Sequence, residues 1–278
     1  MTHRTLRRAG WNTLGLAVFA VMVFPVFWMI SSAFKPTEEL NSVTPTWFSR
    51  SPTLAHFRAV LHRPYFWTDV KNSLIVVAAT VAIALVLAFL AALALAKYRF
   101  TGRKVFIVLV IGIQMLPAVG LIIPLYVLLA KYGEVNKLTG VILVYLTTAL
   151  PFSVWTLRGF LIGIPKDLEE AAMVDGSTRF GAFARILLPL VAPGLVATSV
   201  FIFITVWNEF VFANVLLSDP QQQTITIWLA NFTGGSIGGV DWGAVMAAST
   251  VIAIPVVVFF LLVQRRIVFG LTTGAVKA

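Results

Sequence analysis

Six long apolar stretches constrain this chain more than any other feature of its sequence. They cover residues 11–32, 73–96, 105–129, 138–158, 191–216 and 244–264. Each is long enough to cross the hydrocarbon core of a bilayer, which requires roughly 20 apolar residues as a helix. Because lipid offers backbone amides no hydrogen-bonding partner, such segments form helices. The sequence therefore predicts an all-α integral membrane protein with six transmembrane helices.

The composition agrees with a chain that lies mostly in lipid. Hydrophobic residues make up 59% and charged residues 12% of the 278 residues, against about 25% charged in a typical soluble domain. The net charge of +10 is spread over several short loops, so we expect no nucleic-acid partner. The sequence has no cysteine, which excludes a thiolate metal site. His3, His56 and His62 stand at no metal-binding spacing, and we interpret them as solvated surface residues.

The positions of the basic residues predict an orientation. Fourteen of the 21 Lys and Arg residues lie in four segments, 1–10, 97–104, 158–190 and 265–278. The loops at 130–137 and 217–243 hold only Lys131 and Lys137. Cytoplasmic loops carry the excess of Lys and Arg in membrane proteins, so we expect both termini and segment 158–190 in the cytoplasm. The apolar run of the first stretch is too long for a signal peptide, and we expect it to remain as a span.

The loops differ in character. Residues 33–70 are rich in Pro, Ser, Thr and aromatic residues, and we expect a small cap or short helices at the outer membrane surface. "TGGSIGGV" (233–240) has the composition of a flexible loop. Segment 159–190 is amphipathic instead, which is unusual between two apolar spans.

The first part of this amphipathic loop, "IPKDLEEAAMVDG" (164–176), predicts a short helix. Pro165 suits its first position and Gly176 its C-terminal end. The positions spaced by three and four residues form one small, flat face, which comprises Leu168, Ala171, Ala172 and Asp175. Small side chains let another protein approach a helix closely. The segment therefore suits docking better than chemistry.

The second part of the loop, "TRFGAFARILLPL" (178–190), predicts another short helix, which Ser177 or Thr178 can cap. Phe180, Phe183 and Leu187 would lie on one side of it. Pro189 and Pro193 would mark the start of the fifth span. We expect two short helices joined at Gly176.

The same loop resembles the "EAA" signature of bacterial ABC-importer permeases, E-A-A-x3-G-x9-I-x-L-P. The matching residues are Glu170, Ala171, Ala172, Gly176, Ile186, Leu188 and Pro189. In that family the loop is the coupling helix, which sits in a cleft of a cytoplasmic ATPase and moves with it. Glu169 precedes the signature and Asp175 lies in its x3 gap, and both carboxylates can pair with basic residues of a partner. The alternative interpretation is an amphipathic loop that lies on the membrane surface.

Other segments narrow the resemblance. The end of the chain, "QRRIVFGLTTGAVKA" (264–278), resembles the tail of the second permease in maltose-, trehalose- and glycerol-phosphate-type carbohydrate importers. Ala278 replaces the usual final glycine of that tail. "QMLP" (114–117) and "WNEF" (207–210) are also similar to this subfamily.

The resemblance implies a type I ABC importer permease fold in a bacterial plasma membrane. It implies an N-terminal segment (1–72), a core permease domain (73–264) with the coupling loop at 159–190, and a cytoplasmic tail (265–278). It also implies partners: a second homologous permease, a homodimeric or paired ATPase that binds ATP and Mg, and an extracellular or periplasmic sugar-binding protein. The chain itself would hold no cofactor.

Polar groups inside the predicted spans are candidates for the path of a sugar. Glu209 is the only acidic residue in the six stretches, and a carboxylate in a membrane span is costly unless it has a function. The candidate residues are Gln114, Thr205, Trp207, Asn208, Glu209 and Phe212, of which Thr205, Asn208 and Phe212 fall at helical spacing. Amides and a carboxylate beside aromatic rings suit sugar hydroxyls and C–H faces. The alternative is that Asn208 and Glu209 hold the helices together.

Other functions compete with an importer subunit. An ion-coupled secondary transporter could use Glu209 as its coupling group, but the sequence shows neither internal repeats nor further charges in its spans. A membrane scaffold without transport is a third possibility. An enzyme is the weakest alternative, because the sequence contains no phosphate-binding loop and its spans supply no nucleophile–base pair.

Overall fold

The structure is a computed structural model that describes the backbone of residues 3–234 and 240–274, and the side chains of residues 10–231 and 240–264. Every regular element in these ranges is helical. In chain order they are α1 (His3–Ala33), α2 (Thr37–Leu40), α3 (Ala55–Leu61), α4 (Phe66–Lys97), α5 (Arg103–Gln114), α6 (Ile122–Lys131), α7 (Leu138–Ile162), α8 (Asp167–Val174), α9 (Arg179–Ala182), α10 (Leu188–Trp207), α11 (Val211–Leu216), α12 (Ile225–Gly234) and α13 (Trp242–Gly274). A 3-10 turn (Ala118–Leu121) precedes α6, and a π-helical turn (Phe183–Leu187) joins α9 to α10.

The apolar segments confirm the predicted all-α membrane protein. In the described residues, five segments are long and apolar enough to cross a bilayer: Gly10–Ala33, Phe66–Lys97, Leu138–Ile162, Arg179–Trp207 and Trp242–Gln264. A bent pair of helices, Arg103–Gln114 and Ala118–Lys131, supplies a sixth if the pair counts as one span.

The third span, predicted at residues 105–129, is broken into two helices. The chain breaks after Gln114, and the two halves meet at 98°. Pro117 has extended backbone angles (φ −65°, ψ 120°) at this break. A proline has no N–H for the helix and keeps the residue before it out of helical conformation, which explains why the helix stops here.

The fifth span also differs from its prediction, residues 191–216. Its helix begins at Arg179 and ends at Trp207, so Pro189 and Pro193 lie within a continuous helical segment rather than at its start. Residues 208–210 are not helical, and α11 follows them. The break falls at Asn208 and Glu209, but apolar residues on both sides keep the stretch hydrophobic as a whole, which is why hydropathy alone did not locate it.

The described chain divides into two compact units. One contains the residues up to Trp67 together with Trp228–Ile254, and the other contains Thr68–Ile227 and the residues from Pro255 onward. In the first unit, the short helices α2 and α3 agree with the prediction for residues 33–70.

His56 of the first unit corrects the interpretation of the histidines as solvated. Its side chain is buried, with 6% of its surface exposed. Nε2 lies 3.0 Å from the carbonyl oxygen of Lys35, and Nδ1 lies 3.6 Å from Oδ1 of Asp241. The ring sits where a side chain at Gly243 would otherwise lie. His62, in contrast, is exposed as expected.

The second unit has a core formed by α4, α7 and the Arg179–Trp207 helix. Its buried residues include Ala88, Ala92, Leu95, Leu157, Leu161, Leu187 and Val191. Alanines on α4 leave room for the larger leucines of the neighbouring helices, as close packing requires. Phe160 of α7 occupies the space beside Gly194. This core fixes the end of the span helix from which the amphipathic loop extends.

Candidate functional site

The short helix of the amphipathic loop, α8, ends at a glycine as predicted. Gly176 has a left-handed φ of +89°. Its N–H donates to the carbonyl of Met173 at 3.1 Å, and the N–H of Ser177 donates to the carbonyl of Ala172 at 2.9 Å. These two bonds form a Schellman motif, which requires positive φ at the position that Gly176 occupies. At the other end, Pro165 lies before the helix rather than in its first position, because α8 begins at Asp167.

The second part of the loop is not a separate helix. The side chain of Thr178, rather than that of Ser177, accepts a hydrogen bond from the N–H of Gly181 at 3.1 Å and caps α9. α9 then continues through the π-helical turn into α10. A proline at 189 cannot donate a backbone hydrogen bond to the preceding turn, and a π-helical turn is one way in which a helix accommodates that loss. The second part of the loop is therefore continuous with the fifth span.

The faces of α8 differ from the prediction at one position. Leu168, Ala171 and Asp175 are exposed, but Ala172 is buried against its own chain with 8% of its surface exposed. Val174, which was not predicted to matter, is 87% exposed. The sequence spacing grouped Ala172 with the open face because it cannot show which side of a short helix packs on the spans.

An ion pair fastens α8 to the end of α4. Nζ of Lys97 lies 2.6 Å from Oε1 of Glu169 and donates a hydrogen bond to the carbonyl of Ile164 at 3.2 Å. The side chain of Lys97 is only 10% exposed and that of Glu169 25%. Sequence reasoning missed Lys97, which counted only as one basic residue of a cytoplasmic loop. A lysine at the last position of an apolar stretch is the signal that could have identified it.

The remaining signature residues lie on the helix that continues from the loop. Ile186 is partly buried, whereas Leu188 and Pro189 are exposed. Leu187, which the signature leaves unspecified, is the buried residue of this turn and packs in the core of the second unit. Glu170 and Asp175 are exposed on α8.

Glu209 lies at the break between α10 and α11 and is bound by its own chain. The hydroxyl of Tyr145 donates to Oε2 at 2.5 Å, and the backbone N–H groups of Phe212 and Ala213 donate to Oε1 and Oε2 at 2.9 and 3.2 Å. The hydroxyl of Thr226 donates to the carbonyl oxygen of Glu209 at 2.8 Å. The carboxylate thus caps α11 and ties it to α7.

The other candidate residues fall into two groups. Trp207 and Phe212 are buried, and Trp207 stacks on Phe203 with ring centroids 5.8 Å apart. Thr205 and Asn208 are exposed. The expected helical spacing of Thr205, Asn208 and Phe212 is wrong, because the helix ends at Trp207. Asn208 contributes to this end, since its amide donates to the carbonyl of Ile204 at 2.8 Å.

Gln114 lies apart from these residues in the chain, as the last residue of α5, and its side chain is exposed at the break of the third span. Within the described ranges, no group of three His, Cys, Asp or Glu residues could hold a metal ion.

Known proteins are similar to this chain in sequence and in fold. Residues 84–272 match the family described as binding-protein-dependent transport system inner membrane component. The chain is 45% identical over 266 residues to the permease protein DasC of a diacetylchitobiose uptake system in Streptomyces coelicolor, covering 96% of both chains. It is 37% identical over 273 residues to the permease protein SugB of a trehalose transport system in Mycobacterium tuberculosis, covering 98% of both.

A solved structure agrees in fold. A bacterial ABC transporter involved in the import of the acidic polysaccharide alginate aligns with a TM-score of 0.81 at 20% identity, covering 95% of this chain and 98% of that one. The family match decides against an ion-coupled secondary transporter and against an enzyme, since the ATPase of such importers is a separate subunit. The chain belongs to the family of binding-protein-dependent transport system inner membrane components, the multi-pass permease subunits of ABC importers.

Proposed function

We propose that this permease subunit imports a di- or oligosaccharide. The observation that carries the proposal is the identity of 45% and 37%, over nearly the whole chain, to permeases named for diacetylchitobiose and trehalose. Import by the reconstituted complex of diacetylchitobiose, trehalose or maltose, measured with labelled sugars, is the expected result. If an amino acid is imported and no sugar is, the proposal is wrong.

The partners follow from the same family. A second homologous permease completes the path through the membrane, a pair of ATPase subunits binds ATP and Mg, and a sugar-binding protein outside the membrane delivers the solute. An alginate transporter of the same fold has been solved in complex with its periplasmic protein, and aligns with this chain with a TM-score of 0.60.

The exposed face of α8 is the proposed contact with the ATPase. The exposed side chains of this face are apolar or small, and they belong to Leu168, Ala171 and Val174. An exposed apolar patch of this kind marks a site of contact with another protein. Glu170 and Asp175 are exposed beside them and can pair with basic residues of the partner. Because α9 is continuous with the fifth span, a displacement of α8 would be transmitted across Gly176 into the membrane.

Variants of the loop test this coupling. Gly176→Pro removes the N–H that donates to Met173 and imposes a φ of about −65° on a residue at +89°. We expect Gly176→Pro and Glu170→Ala to lose sugar uptake while ATP hydrolysis by the assembled complex persists. Gly163→Ala, at the end of α7 with an ordinary φ of −68°, is the matched control. Normal uptake by both loop variants contradicts the coupling role.

The proposed sugar path is lined by polar residues of the apolar segments. Gln114, Thr205 and Asn208 keep exposed polar side chains in or beside apolar segments and are the proposed sugar contacts. Glu209 is proposed to position α11 rather than to touch sugar, because three donors of its own chain bind its carboxylate. The KM for uptake should rise in Thr205→Val and Asn208→Ala, and an unchanged KM in both removes them from the path.

A further inference from the structure

A pocket of about 290 Å³ lies beside α8, between this helix, the end of α4 and the first turns of the Arg179–Trp207 helix. α8 lines it with Glu169, Glu170 and Met173. Glu169 and Met173 lie on a different face of the helix from Ala171, which is proposed to meet the ATPase, and Glu170 lies at the border between the two faces. The pocket is thus a second surface of the coupling loop.

The floor of the pocket is apolar and belongs to the membrane-spanning helices. Leu93 of α4 and Phe183 of the π-helical turn line it, and both are partly buried. Leu93 stands one helical turn before Lys97, the last residue of a span. At that depth the hydrocarbon core of a bilayer gives way to the headgroups.

The rim of the pocket carries an excess of positive charge. Lys97, Lys166 and Arg179 line it against Glu169 and Glu170. Lys97 is bound to Glu169. In the part of the chain that the structure describes, neither Lys166 nor Arg179 has an ion-pair partner. The two free cations exceed the one remaining carboxylate, so the pocket favours a single negative charge.

We propose that this pocket binds an anionic phospholipid, with the headgroup phosphate at Lys166 and Arg179 and the start of an acyl chain over Leu93 and Phe183. Basic pockets between membrane helices on the cytoplasmic side suit such headgroups. The apolar floor favours a lipid over a soluble anion. The proposal rests on the proposed function only in placing α8 at the cytoplasmic surface.

Such a lipid would act on the coupling loop directly. Lys166 precedes α8 and Arg179 is the first residue of α9, so the two cations stand on opposite sides of the turn at Gly176. A phosphate held by both would restrain the angle of this turn. Anionic lipid should therefore alter how much ATP is hydrolysed for each sugar imported.

The test uses the complete importer, reconstituted in nanodiscs of phosphatidylcholine that contain a known fraction of phosphatidylglycerol. Native mass spectrometry measures how much phosphatidylglycerol the complex retains. We expect Lys166→Gln and Arg179→Gln each to weaken retention about fivefold. Arg185→Gln is the matched control, because Arg185 is exposed on the same helix but does not line the pocket, and its retention should equal that of the unchanged protein.

The outcomes distinguish the lipid from other ligands. Unchanged retention in both variants overturns the proposal. Displacement of the lipid by an equal concentration of soluble glycerol phosphate also overturns it, since the site would then recognise phosphate alone. Loss of the ATPase from both variants with phosphatidylglycerol still retained would make the pocket an ATPase contact. Lipid retention is measured without a transported solute. The lipid proposal can therefore be correct even if the importer carries no sugar.

Discussion

At the scale of single residues, two carboxylates owe their environment to donors that are distant in sequence. Glu169 forms an ion pair with Lys97 at the end of α4, and Glu209 accepts a hydrogen bond from the hydroxyl of Tyr145 on α7. The cation of Glu169 lies on another helix, and Glu209 combines the hydroxyl of Tyr145 with two nearby backbone N–H groups. The first contact holds the coupling loop against the spans, and the second holds the break of the fifth span against its neighbour.

Lys97→Met should loosen the coupling loop. It leaves Glu169 without its cation, and removing one partner of a largely buried pair costs about 1–3 kcal/mol. We expect a lower thermal unfolding temperature of the purified protein and reduced uptake for each ATP hydrolysed. Lys97→Glu with Glu169→Lys restores opposite charges and should recover part of both. The exposed Lys104→Gln is the control, and equal stability of Lys97→Met and Lys104→Gln contradicts this role of the ion pair.

Tyr145→Phe should destabilise the break at residues 208–210. The substitution removes one donor from a carboxylate, and a hydrogen bond to a charged group contributes about 1.5–3 kcal/mol. We expect a smaller free energy of unfolding in detergent, with the protein still inserted in the membrane. Tyr126→Phe is the matched control, because Tyr126 is 40% exposed. A loss of uptake without any loss of stability would instead point to direct sugar contact near Glu209.

At the scale of elements, α7 packs closely on α10, the helix that continues from the amphipathic loop. A Cβ atom at Gly194 would lie 2.6 Å from Cγ of Phe160. The ring therefore fills the space that the glycine leaves open. Because α10 continues from the loop, this contact would pass the proposed shift of the loop to α7.

Gly194→Ala should disturb this contact. Phe160 must leave its position, and such overpacking costs about 1–3 kcal/mol. We expect a lower unfolding temperature and reduced uptake. Gly159→Ala provides the matched control, since a Cβ atom there meets nothing within 4 Å. Gly194→Ala combined with Phe160→Leu should regain stability, and its failure to do so would show that the cost arises elsewhere.

At the scale of the whole molecule, the bent helix pair α5–α6 decides the topology. If the pair crosses the membrane, the chain has six spans, and α8 lies on the same side as the N terminus. If the pair is re-entrant, the chain has five spans, and α8 lies on the opposite side. The distribution of Lys and Arg favours six spans.

Labelling of single cysteines tests the topology, and the natural chain contains no cysteine to interfere. Lys131→Cys and Asp175→Cys place thiols at exposed positions on either side of α7. We expect a membrane-impermeant maleimide to label Lys131→Cys in intact cells and Asp175→Cys only after permeabilisation. The reverse pattern would place α8 outside the cytoplasm, through five spans or an inverted chain, and would remove its coupling role.

Local patterns in the sequence predicted much of the fold and part of the site. The apolar stretches predicted the helices, because a bilayer demands length and hydrophobicity from each span regardless of its neighbours. The end of α8 at Gly176 was predictable, since positive φ selects for glycine at a helix end. The "EAA" signature also indicated the family, because its residues lie close together in the chain and can be recognised without the fold.

Only the tertiary structure decided where the spans break and which polar groups are paired. Asn208 and Glu209 interrupt the apolar sequence, and the chain breaks there because their side chains bind backbone groups at the end of α10 and the start of α11. The partners of Glu169, Glu209 and His56 lie on other helices or in distant segments of the chain. A buried charge is stabilised by whatever group packs against it, and that choice is made by the folded chain rather than by any local spacing.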